Sequence, residues 1–228
     1  MYSGGVRIII WMCAIFYLLQ HLYFPITHQM FGMAYLGHPN FNAIQFLTYG
    51  FLHGDAVHIF VNMLMLAIFG TKIENEFGIG NLFVLFVITI ICGGIAQQIN
   101  QMILVNQAFG TYFPLPPSDF FDQVKLSVEY GREALATFNR ITVGASAGVF
   151  GIMLAYTTLF PKQRLGLPWF KTTMSARLLI SIYVIGEIYM LLYNPQPNVA
   201  HVAHLAGGLG GFLLAKLWMK TKLNKNNA

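Results

Sequence analysis

Ser146 and His204 are the residues of this sequence best suited to covalent chemistry, and a serine served by a histidine base means nucleophilic acyl transfer. The histidine would take the serine proton during attack and return it to the leaving amine. Such a reaction develops an oxyanion that needs hydrogen-bond donors. His58 and Asn62 stand one helical turn apart and would share one helix face, which makes them candidates. The backbone N–H of Ser146 is a third, because an early position in a helix leaves its amide unbonded within that helix. Two further polar groups lie in apolar surroundings. Glu187 is expected to be a satisfied packing or gate residue, with a carboxylate partner for His204 as the alternative, and His201 a mouth residue without chemistry. Paired carboxylates of the glycosidase kind, CxxC metal pairs and glycine-rich phosphate loops have no counterpart.

Gly144-x-Ser146-x-Gly148 also reads as the nucleophile elbow of an α/β-hydrolase, and the order Ser146, Glu187, His204 matches that fold's triad order. The elbow needs a preceding strand and a soluble sheet, and the composition argues against both. Of 228 residues, 56% are hydrophobic and 9% charged, against about 25% charged in an ordinary soluble domain. Apolar runs at roughly 7–24, 56–72, 80–100, 141–160, 175–193 and 199–219 each approach the length of about 20 residues that crosses a bilayer. A single membrane domain over 1–228 with six spans is expected. Met1 to Arg7 leads into the first run with no small-residue cleavage site after it, which reads as a retained span and not a signal peptide. Cys13 and Cys92 fall inside separate runs and read as packing residues.

With both termini cytoplasmic, Arg7, Lys72, Lys162, Arg164, Lys171, Arg177 and the cluster Lys216 to Lys225 lie inside, while Lys125, Arg132 and Arg140 lie outside. The net charge of +5 is then a membrane-surface feature, and nucleic acid is not implied as a partner. The segment 25–55, rich in aromatic residues and without Lys or Arg, suits a loop in the membrane interface. The segment 101–140 carries Asp119, Asp122, Glu129 and Glu133, with a surface helix predicted within Phe120 to Phe138, and reads as a solvated cap. In this topology the second, fourth and sixth runs all descend from the outer face. A rise of ~1.5 Å per residue then puts His58, Ser146 and His204 within about 10 Å of the outer boundary. The small-xxx-small pairs Gly144 with Gly148, and Gly207 with Gly211, let the fourth and sixth helices approach closely enough for a serine to reach an imidazole.

At these residues the sequence resembles the rhomboid family of intramembrane serine proteases. Gly144-Ala145-Ser146-Ala147-Gly148 is similar to the family's GxSx motif, and Ala203-His204-Leu205-Ala206-Gly207 with Gly211 to its AHxxGxxxG motif. The resemblance implies an all-α, six-helix bundle with an interfacial first loop and a Ser146-His204 dyad. His53 and His58 to Asn62 resemble the second-helix pattern whose His and Asn serve the oxyanion hole, and Gly70, Glu74 and Gly78 a Gly-x-x-x-Glu-x-x-x-Gly turn after it. Phe150 matches the aromatic residue that stacks on the imidazole. Many members have Gly directly after the serine, whereas here Ala147 precedes Gly148. The implied function is cleavage of peptide bonds in or beside transmembrane helices. Substrates would pass laterally by the fifth span, with no metal or organic cofactor. Membrane proteins and lipid are the implied partners, and a bacterial plasma membrane with the site towards its outer face the implied location. A non-proteolytic relative that binds membrane clients is the alternative. Transport would predict internal repeats, which the segment pattern lacks.

Overall fold

The computed structural model describes residues 4–117, 120–167, 172–193 and 199–226; Met1 to Ser3, Asp119 and Lys171 lie outside the described residues. Helix α1 (Gly4–Leu22) is followed by two short helices of the first loop, α2 (Ile26–Phe31) and α3 (Gln45–Thr48). Helix α4 (Ala56–Met65) runs through a π-helical turn at Leu66–Gly70 into α5 (Thr71–Phe77). Then come α6 (Ile79–Phe109), α7 (Phe120–Tyr130), α8 (Arg132–Phe138), α9 (Ser146–Leu159), α10 (Ala176–Tyr193) and α11 (His201–Asn226). Between α9 and α10, β1 (Arg164–Leu167) pairs antiparallel with β2 (Thr172–Ser175). This ribbon is a small departure from an all-α expectation.

Among the described residues, five helices are long and apolar enough to cross a membrane: Gly4–Leu22, Ala56–Phe77, Ile79–Phe109, Ala176–Tyr193 and His201–Thr221. The fourth apolar run, expected as a span over 141–160, is helical only from Ser146 to Leu159, 14 residues. Its first residues are extended because the first loop claims their backbone. Met33 and Thr142 exchange N–H···O bonds of 2.9 Å each, and the Gly144 N–H donates to the Tyr49 carbonyl at 2.9 Å. The short helix is the centre of the molecule. Ten of its 14 residues are buried, and its main neighbours are α6 and α11. A buried helix needs no lipid-spanning length of its own, since its neighbours screen it. The periphery is apolar, with Trp11, Val57, Phe60 and Ile185 at least 64% exposed, the arrangement that a lipid solvent stabilises.

The glycine-glutamate-glycine pattern has a mechanical explanation. The Glu74 carboxylate accepts the N–H groups of Gly5 and Val6 at 2.8 Å each. It thus caps the N-terminus of α1, where a negative charge is favoured. A methyl at Gly70 would lie 3.2 Å from Val6, and Gly78 takes φ +86° at the reversal into α6. The third helix extends well past the expected 80–100, and its C-terminal part carries glutamines that hold loops. Gln98 donates to the Ala34 carbonyl at 2.6 Å and accepts from the Leu36 N–H at 3.0 Å. Beyond it, Val105 and Phe109 pack with Tyr35, Ala134 and Phe138 in a small second core. Helix α8 is therefore docked on the first loop and on α6.

Candidate active site

Ser146 is the first residue of α9, and no side chain caps that helix terminus. Its hydroxyl lies 2.7 Å from His204 Nε2, a separation at which the Oγ–H donates to the imidazole. Packing sets this distance. A methyl at Gly207 would overlap the Ala147 carbonyl, and one at Gly211 the Gly151 carbonyl, so α11 lies directly on the backbone of α9. The expectation that Gly144 and Gly148 form the matching face of α9 is not met. A methyl at Gly148 would lie 2.6 Å from Phe86 of α6, and one at Gly144 2.9 Å from the His58 ring. The α9 surface under α11 is Ala147 and Gly151 instead. Gly144 has a second requirement, φ +138°, which side chains other than hydrogen rarely allow.

The same hypothetical Gly144 methyl would be 3.1 Å from His58 Nε2 and 3.3 Å from Ser146 Oγ, which places the imidazole of His58 beside the serine. Asp55 caps α4 by accepting the His58 N–H at 2.8 Å, and the Gly54 N–H donates to His58 Nδ1 at 3.3 Å. With Nδ1 accepting, Nε2 is the ring's donor. Asn62 is 5% exposed, and its amide nitrogen has no hydrogen-bond partner among the described residues. Asn62 lines a cavity, so its amide is a donor available to a guest there. His53 lies behind His58, with ring centroids 5.2 Å apart and an interplanar angle of 72°. Burial first, and then the neighbouring His58, hold its imidazole down at about 3. Gln20 of α1 fixes this corner, donating to the His53 carbonyl and accepting its N–H at 3.1 Å. Ser146, His204, His58 and Asn62 all line one cavity of about 820 Å³.

Phe150 stacks on the His204 ring at 4.7 Å and 11°, and Tyr183 of α10 stacks on the Phe150 ring at 5.0 Å and 21°. Glu187, expected as a packing or gate residue, is hydrogen-bonded to the imidazole. Its Oε2 lies 3.1 Å from His204 Nδ1 and 2.6 Å from His201 Nδ1. Glu187, His201 and His204 are also the group, among the described residues, whose ligand atoms are close enough to hold a metal, all within 4.8 Å of one another. Mutual hydrogen bonds occupy them. A hydroxyl, an imidazole lone pair and spare donors around one cavity are the parts of an acyl-transfer site.

The family profile of the Rhomboid domain matches residues 40–221, which includes every one of these groups. The chain belongs to the rhomboid family. RHOMBOID-like protein 7 of Arabidopsis thaliana is 25% identical over 171 residues, which are 75% of this chain and 41% of that protein. The chain thus spans less than half the length of that relative. Family and apolar helices together make this rhomboid an integral, multi-pass membrane protein with a helical bundle. Tyr183 escapes sequence reasoning in its place at the site, and Glu187 is expected beside His204 only in the alternative reading. For Glu187 a signal exists: it precedes residues 194–200 by seven positions and His204 follows them by four, so an antiparallel helix pair brings the two within about one turn of each other. An acid in an apolar run then needs a partner, and a histidine is opposite.

Proposed function

We propose that this rhomboid is an intramembrane serine endopeptidase that cleaves peptide bonds in or next to transmembrane helices of other membrane proteins. The observation that carries the reading is the 2.7 Å approach of Ser146 Oγ to His204 Nε2 at the start of α9. Ser146 attacks the scissile carbonyl while His204 accepts its proton; the same imidazole then protonates the leaving amine. The oxyanion forms beside the uncapped first amides of α9, where the helix dipole favours negative charge. Asn62 Nδ2 and His58 Nε2 supply further donors. A substrate helix hides its carbonyls in its own hydrogen bonds, so cleavage favours segments that unwind readily, such as those with Gly or Pro. The shallow cavity admits water from the outer face, with both termini on the inner side and α9 as a sixth, shortened span.

The test is incubation of the purified chain in detergent with a labelled single-span substrate, beside Ser146→Ala, His204→Ala and Asn62→Ala. The first two should abolish cleavage, and Asn62→Ala should lower kcat by roughly 10- to 100-fold with little change in KM. Cleavage that persists in Ser146→Ala removes the mechanism, and an unchanged kcat in Asn62→Ala removes that donor. A chain that binds the substrate without ever cutting it would be a client-binding relative.

A further inference from the structure

We infer that Glu187 is a positioning residue for His204, so that the dyad works as a Ser-His-Glu triad whose third member is carried by α10; this rests on the proteolytic reading above. An ionised carboxylate only accepts hydrogen bonds. The contacts of Glu187 Oε2 with His204 Nδ1 at 3.1 Å and His201 Nδ1 at 2.6 Å therefore put a hydrogen on each Nδ1. In neutral His204 the lone pair is then on Nε2, the atom 2.7 Å from Ser146 Oγ. This is the tautomer that can take the serine proton, and the carboxylate also opposes the positive charge that the ring gains by taking it.

Phe150 cannot supply this on its own. Stacking fixes the plane of the imidazole, but a stacked ring flipped by half a turn about its Cβ–Cγ bond remains stacked with its edge reversed. Ser146 at Nε2 and a partner at Nδ1 together distinguish the two orientations, and of the two only the carboxylate, which must accept, also fixes the tautomer. His201 holds the same oxygen from a second side, which keeps the carboxylate in place. The buried residues of α10 are Ala176, Ile180 and Glu187. Towards the end of α10 that packs beside His204, the buried tie to α11 is thus the carboxylate itself. Moving α10 away from α11 would withdraw Glu187 from the imidazole, which links the seating of that helix to the readiness of the base.

The test uses the full chain with Glu187→Gln and Glu187→Asp. Glu187→Gln should lower kcat by about tenfold or more with KM within about twofold, because its amide can donate to Nδ1 and impose the wrong tautomer. Glu187→Asp, which keeps the charge, should recover part of the loss. A second readout needs no turnover: nitrogen NMR of labelled histidine in the Ser146→Ala background. His204 should carry its hydrogen on Nδ1 with Glu187 present, and shift towards Nε2–H in the Glu187→Gln double variant. An unchanged tautomer overturns the inference, whatever happens to melting temperature or yield. Loss of cleavage on adding EDTA, restored by Zn²⁺, also overturns it, because Glu187 would then be a metal ligand. If the wild-type chain cuts nothing, the proteolytic reading fails, and the tautomer still decides the role of Glu187.

Discussion

At the scale of single residues, the polar groups divide into those that a motif announces and those that a fold creates. Ser146, His204, His58 and Asn62 are legible because their types and spacings have little other reason to occur in apolar runs. Tyr183 is not, and Glu187 only as an alternative, because their places depend on how α10 lies against α9 and α11, which local spacing encodes weakly. His53 illustrates a residue whose identity is legible and whose state is not. It is fully buried, and its imidazole is held at about 3 against an ordinary 6.5. A histidine with a depressed folded pKa stays neutral in the native state while the unfolded chain takes up a proton. Its contribution to stability is therefore complete above about 6.5 and is lost progressively as pH falls towards 3. Melting temperature in detergent should decline as pH falls from 6.5 to 5, where carboxylates remain mostly charged, and the decline should be shallower in His53→Gln. Equal slopes in the two proteins would remove His53 as the cause.

At the scale of elements, the apolar runs foretell the helices well and the start of α9 poorly. Hydropathy counts Ile141 to Val143 as part of a span. The backbone of Thr142 is bonded instead to Met33, and that of Gly144 to Tyr49, in the first loop, a pairing across about a hundred residues that local pattern does not reveal. The same helix shows how a departure from a family pattern is accommodated. Ala147 replaces a frequent glycine, and the Cβ it adds faces Gly93 of α6, where a second methyl would be 2.5 Å away. Gly93→Ala should therefore overpack the α6–α9 contact, at a cost of about 1–3 kcal/mol. Ala147→Gly should recover part of that loss in the double variant. Recovery is partial because the added methyl would still lie 2.9 Å from the Ala203 carbonyl. Thermal melts of the two single variants and the double variant form the cycle, and strict additivity would mean that the two positions do not share a contact.

At the scale of the whole molecule, the bundle buries a short polar-tipped helix inside longer apolar ones, so that reactive groups share one cavity while the lipid-facing surface stays apolar. The distribution of Lys and Arg predicts the 101–140 segment on the outer side and the basic tail on the inner side. In intact cells an impermeant thiol reagent should label a cysteine placed at the exposed Lys125 and not one placed at Lys220; the reverse pattern would invert the topology. Sidedness then determines where product appears, but the chemistry itself is tested more directly. The measurement is intact mass of the detergent-purified chain after treatment with a fluorophosphonate, with the adduct mapped by fragmentation. A single phosphonyl group on Ser146 is expected, lost in Ser146→Ala and strongly slowed in His204→Ala. No adduct, or one that persists in Ser146→Ala, would contradict an activated serine at the head of α9.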